Sequence, residues 1–119
     1  MKTIFFFFLL LTGSFALVHA QTIACGEVSS YVGQSITICT EVKGVSVDSA
    51  IKQIPTLLFL CAPYPHQVLN VVIRKDVAAK FPTSPTTWNG KQICVTGTIS
   101  LYKGKPEIVV KNKDQIIIH

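Results

Sequence analysis

Ser35-Ile-Thr-Ile-Cys-Thr-Glu-Val42 alternates apolar and polar side chains, so that Ile36, Ile38 and Val42 share one face and Thr37, Cys39 and Glu41 the other. The same alternation returns in Gln92-Ile-Cys-Val-Thr-Gly-Thr-Ile99, where Ile93, Val95 and Ile99 lie opposite Cys94, Thr96 and Thr98. Both read as half-buried strands, introduced by Gly33 and Gly90. Thr56-Leu-Leu-Phe-Leu-Cys61 is a short apolar strand ended by the turn-forming Pro63-Tyr64-Pro65, and Val68-Leu-Asn-Val-Val-Ile-Arg74 follows as its hairpin partner. Pro106 to Val110 and a short tail, Gln115 to Ile118, supply the last strands, with Lys103-Gly104-Lys105 as the turn into the former. Asp76 to Phe81 makes a helical turn, for which Asp76 is the expected N-cap and Pro82 the stop. Residues 22–32 fit no single pattern; a short helix packed against the sheet is one reading of them.

The N-terminus changes the count of what must fold. Lys2, the apolar run Ile4 to Leu11, a weaker apolar stretch to Val18 and the small-residue ending Val18-His19-Ala20 have the three parts of a secretory signal peptide, with cleavage expected after Ala20. Thr12, Gly13 and Ser14 interrupt the run before it reaches the roughly 20 residues of a membrane-spanning helix. Thr22-Ile-Ala-Cys25 loosely resembles a lipobox, which offers lipid attachment at Cys25 as a minor alternative. Taking residues 1–20 as leader leaves 21–119, 99 residues and one domain with a single core. The expected location is secreted or periplasmic, with no stable membrane span after cleavage.

All four cysteines lie in that exported part, and in an oxidising compartment they read as two disulfides out of three pairings. The strand parity above favours Cys39 with Cys94, both pointing away from the core, and leaves Cys25 for Cys61. No Cys-x-x-Cys or Cys/His cluster suggests a metal, and no cofactor motif is present. Eleven Lys and Arg, less Lys2, leave ten against six Asp and Glu, a formal charge of +4 that favours polyanions without naming one.

Three segments carry a resemblance: Val32-Gly-Gln-Ser-Ile-Thr-Ile-Cys39; Leu58-Phe-Leu-Cys-Ala-Pro-Tyr-Pro65 running into Leu69-Asn-Val-Val-Ile73; and Gly90-Lys-Gln-Ile-Cys-Val-Thr-Gly97 continuing through Tyr102-Lys-Gly-Lys-Pro-Glu-Ile108. On these the chain resembles OB-fold nucleic-acid-binding domains, in particular the small secreted bacterial kind also found attached to nucleases. The resemblance implies an all-β fold, a five-stranded Greek-key barrel with one short helix between strands three and four. The chain departs from the pattern at Thr40-Glu41, where a glycine is usual, and at Phe59, a place often held by a polar residue.

OB-folds take their ligand across the second and third strands, between the loops joining strands one to two and four to five. Here parity puts Leu57 and Phe59 opposite the core pair Leu58 and Leu60, and Asn70, Val72 and Arg74 opposite Leu69, Val71 and Ile73. Phe59 then offers a ring for a base to stack on and Arg74 a phosphate contact, unless the N-terminal segment covers Leu57 and Phe59. Lys43 and Lys52 are assigned to the first variable loop, 44–55, and Tyr102, Lys103 and Lys105 to the last hairpin. Tyr64, between prolines, reads as a packed turn residue and Trp88 as a core plug. His66 and His119 stand without a nucleophile to serve, and Glu41, Asp48, Glu107 and Asp114 are scattered, so no catalytic set emerges. The expectation is an exported, non-catalytic module that binds single-stranded nucleic acid through basic loops and aromatic stacking. A protein- or anionic-glycan-binding module on the same fold is the alternative.

Overall fold

The computed structural model describes residues 20–47 and 54–119. Eight strands, β1 (Gln21–Ile23), β2 (Ser35–Ser46), β3 (Thr56–Leu60), β4 (Leu69–Ile73), β5 (Gln92–Thr98), β6 (Ser100–Tyr102), β7 (Lys105–Val110) and β8 (Ile116–Ile118), form one hydrogen-bonded sheet. Its order is β6-β7-β4-β3-β2-β5-β8, with β1 parallel beside β2. The all-β class expected from the alternating patterns holds. A single turn of helix, α1 (Lys75–Ala78), lies between β4 and β5. The expected leader, apart from Ala20, falls outside the described residues.

The inward faces are those the alternation marks. Ile36, Ile38 and Val42 of β2, Ile93 and Val95 of β5, Leu58 and Leu60 of β3 and Leu69, Val71 and Ile73 of β4 are all buried, and Ile108 and Val110 of β7 join them. Burying each such side chain contributes about 1.5–3 kcal/mol. Trp88 is the core plug: its ring is fully buried, packs edge-on against Phe81 at 4.9 Å, and its Nε1 donates to Thr83 Oγ1 at 3.0 Å.

β2 runs further than its alternation suggests. From Ser35 to Glu41 it pairs with β5; from Val42 to Ser46 it pairs with β3, with a bulge between Val42 and Gly44 at the change of partner. A bulge bends the strand that carries it. At the bulge stands Gly44, where a Cβ would come within 3.0 Å of the Phe59 ring. The extension corrects the position of Lys43, which belongs to β2 rather than to a loop and pairs with Glu41 at 3.4 Å. The helix start is corrected too. Arg74 leaves β4 still extended and is the N-cap, without a side-chain cap bond, so Asp76 falls inside the first turn, 3.8 Å from Arg74 Nε.

β5 and β6 are separated only by Ile99, which is anchored across the chain: its carbonyl accepts from Gly33 N at 2.7 Å and its amide donates to Gln34 O at 3.1 Å. Gly97, just before it, admits no side chain, since a Cβ would stand 2.6 Å from Ile108 Cγ2 and 3.0 Å from Gln115 Nε2. Gln115 fastens the C-terminal end to this point, donating to Thr96 O at 2.9 Å and accepting from the amides of Lys111 and Asn112.

Both disulfides pair as parity favours. Cys39 and Cys94 are direct partners in the β2–β5 ladder, and Cys25 joins Cys61. The latter ties the 3₁₀ segment Cys25–Tyr31, whose Val28 is buried, to the end of β3. No helix among the described residues is long and apolar enough to cross a membrane.

Candidate functional site

The outward side chains of β3, β4 and β7 form the floor of a cleft of about 670 Å³. Register sets them in rows across the sheet: Phe59, Asn70 and Glu107 in one, Leu57 and Val72 in the next. Strand spacing keeps neighbours in a row about 5 Å apart. The β3–β4 connection contributes Tyr64, Pro65 and Gln67 to the wall, and the β6–β7 hairpin contributes Tyr102, Lys103 and Lys105.

That hairpin is built by its two turn residues. Lys103 (φ 52°) and Gly104 (φ 80°) both adopt the left-handed conformation, the two-residue loop that matches the twist of paired strands and that glycine makes inexpensive. It leaves Tyr102 59% exposed at the cleft edge, with Lys103 Nζ 5.4 Å from the centre of its ring. Lys105 follows as the first residue of β7 and is also exposed.

Phe59 occupies the expected outer face but is only 7% exposed. Its ring is held between Gly44 and the ring of Tyr64, whose centre is 5.4 Å away. Among the described residues the covering group is therefore Tyr64 rather than the N-terminal segment, and the open aromatic surface belongs to Tyr64, which is 68% exposed. This corrects the reading of Tyr64 as a packed turn residue. The signal was available: prolines on both sides restrict its backbone, and the turn stands at the end of the strand that carries Phe59.

The expected residues divide. Phe59, Tyr102, Lys103 and Lys105 meet in the cleft. Arg74 does not join them, because the end of β4 that precedes it pairs with Thr56, at the opposite end of β3 from Phe59, and its guanidinium faces Asp76. Lys43 is likewise apart, engaged with Glu41. Lys52 lies outside the described residues.

Three polar side chains on the floor and wall were not assigned to a site from the sequence, although parity had put Asn70 on the outer face. Gln67 Nε2 donates to Asn70 Oδ1 at 3.1 Å, while Gln67 Oε1 is buried with no partner among the described residues. Glu107 is the one carboxylate among the described residues lining the cleft; burial pushes its carboxyl above the ordinary carboxylate range, and no described cation lies within ion-pair distance. Only register, not spacing along the chain, brings Asn70 and Glu107 together. Among the described residues no group of three His, Cys, Asp or Glu side chains gathers to hold a metal. His66 is exposed in the turn, and His119 lies against the Cys94 sulfur at 3.5 Å, away from the cleft.

No protein-family model matches this chain, and no curated protein is significantly similar to it.

Proposed function

We propose that this chain is an exported OB-type barrel that binds single-stranded nucleic acid without catalysing a reaction. The pairings support closure. They run from β2 through β3, β4 and β7 to β6, and β6 continues through Ile99 into β5, which pairs with β2 again. Counting β5 and β6 as one bent strand, and leaving aside the short flanking strands β1 and β8, gives five in this circuit, with the helical turn α1 between the third and fourth. The apolar leader pattern and two disulfides support export to a secreted or periplasmic location.

The observation that carries the function is the cleft wall: two exposed tyrosines and two exposed lysines stand over a largely apolar floor. Tyrosine rings offer bases a stacking surface that tolerates any sequence, and the lysines neutralise phosphates and release their counterions. The test is fluorescence anisotropy of labelled single-stranded DNA and RNA with the oxidised protein at about 50 and 200 mM salt, the interval over which phosphate contacts become visible. Saturable binding that weakens steeply with salt is expected. An absence of binding at the lower salt would overturn this reading and leave a protein- or glycan-binding module.

A further inference from the structure

We propose that Glu107 and Asn70 read the edge of a guanine base held in the cleft. This rests on the nucleic-acid reading and adds a base preference to it. Asn70 and Glu107 are direct partners across the β4–β7 ladder, so their side chains stand beside each other on the floor. Asn70 Oδ1 is taken by Gln67, which leaves the Asn70 amide with hydrogens to donate, next to a carboxylate that only accepts.

A carboxylate in a cleft meant only for phosphates is a liability, since it repels them and no described cation neutralises it. It suits a ligand that brings hydrogen-bond donors to that point. Among the nucleobases, guanine alone presents two adjacent donors on its pairing edge, N1–H and the 2-amino group, with the O6 acceptor beside them. A carboxylate accepts both, and an asparagine amide donates to O6. Adenine, cytosine and thymine each offer at most one ring or exocyclic donor there and so satisfy only part of the pair. The same row begins at Phe59, under Tyr64, so a base with its edge toward Glu107 has an aromatic side chain at hand for its face. Lys103 and Lys105 remain at the hairpin for the phosphates.

The experiment uses the oxidised protein and short labelled oligothymidines that carry one central guanine, hypoxanthine, adenine or cytosine. Guanine should bind most tightly. Hypoxanthine, which lacks the 2-amino group, should bind more weakly, within the roughly 5- to 150-fold range of one well-placed base contact. Glu107→Gln should abolish the difference between guanine and hypoxanthine, and plain oligothymidine should bind the variant no more weakly than the parent, because the substitution removes a charge that repels phosphates. Asn70→Ser, a second small and polar replacement, should reduce the preference for guanine over adenine. Equal affinity for all four central bases, or a preference for guanine over hypoxanthine that survives in Glu107→Gln, would overturn this inference and leave the general binding function intact. If none of the oligonucleotides binds at low salt, both fall.

Discussion

The outer surfaces of the two halves of the sheet differ although their inner faces follow one rule. Along the middle of β2 and β5 the outward residues are small and tied to each other: Thr37 and Thr96 share a hydrogen bond of 2.7 Å, and the next outward pair in the ladder is the Cys39–Cys94 disulfide. On β3, β4 and β7 the outward residues are large or polar and make few bonds among themselves, and a cleft opens above them. Alternation builds both inner faces alike. What distinguishes a clasped surface from a receptive one is whether outward groups satisfy one another.

The strongest way to break this comparison is to remove the clasp. Replacing Cys39 and Cys94 together by alanine frees a link between residues 55 apart and should cost about 2–5 kcal/mol. At about 4–8 °C for each kcal/mol in a domain of this size, melting should fall by at least about 8 °C. Below that temperature oligonucleotide affinity should stay within about twofold of the parent, as for distant, independent sites. A large loss of affinity in protein that is still folded would mean the two surfaces are not separate.

Gly97→Ala strikes where the halves meet. Its Cβ would overlap Ile108 of β7 and press on Gln115, so a loss of about 1–3 kcal/mol is expected in urea unfolding. Full stability in this variant would show that β5 does not approach β7 so closely.

The receptive surface should respond in binding and not in stability. Tyr64→Ala and Tyr102→Ala remove exposed rings, 68% and 59% accessible, and each should weaken oligonucleotide binding by about 1–3 kcal/mol with little change in melting. Replacing Lys103 and Lys105 by alanine should flatten the dependence of log affinity on log salt by about 1.4, at roughly 0.7 for each phosphate contact to a single strand. Arg74→Ala, outside the cleft, should change neither. A cleft variant that leaves affinity and salt slope untouched would move the binding surface elsewhere.

The clasped half was the more legible in the sequence. Its strands alternate strictly, so parity alone sorts Ile36 and Ile93 inward and Cys39 and Cys94 outward, and the disulfide follows. The hairpin lysines were legible too, because Lys103-Gly104 marks its own turn. The rest of the cleft depends on distances along the chain that no local pattern carries. Phe59 and Arg74 share a parity, yet they belong to opposite ends of the β3–β4 ladder. Tyr64 reaches the cleft because the β3–β4 connection carries it back over Phe59. Glu107 faces Asn70 because a parallel pairing joins segments far apart in sequence, so it looked like one of several scattered acids.

The smallest expected effect sharpens the comparison most, because it asks whether the receptive half carries a cost the clasped half does not. Burial raises the folded-state pKa of Glu107, so the folded protein binds that proton more readily than the unfolded chain. Stability must then fall as pH rises from the unfolded-state value through the folded one, and the ionised carboxylate works against the fold at neutral pH. The groups facing it across the cleft are Lys103, Lys105, Tyr64 and Tyr102. Glu107→Gln should therefore raise the melting temperature slightly at neutral pH, and the gain should vanish in acid, where the native residue is already protonated. Melting curves of the two proteins across the acid range test this: a gain that persists at low pH would trace the effect to packing rather than charge. The same substitution is expected to erase the preference for guanine over hypoxanthine. A variant more stable but less discriminating is the outcome that a carboxylate held for its ligand, rather than for its fold, must give.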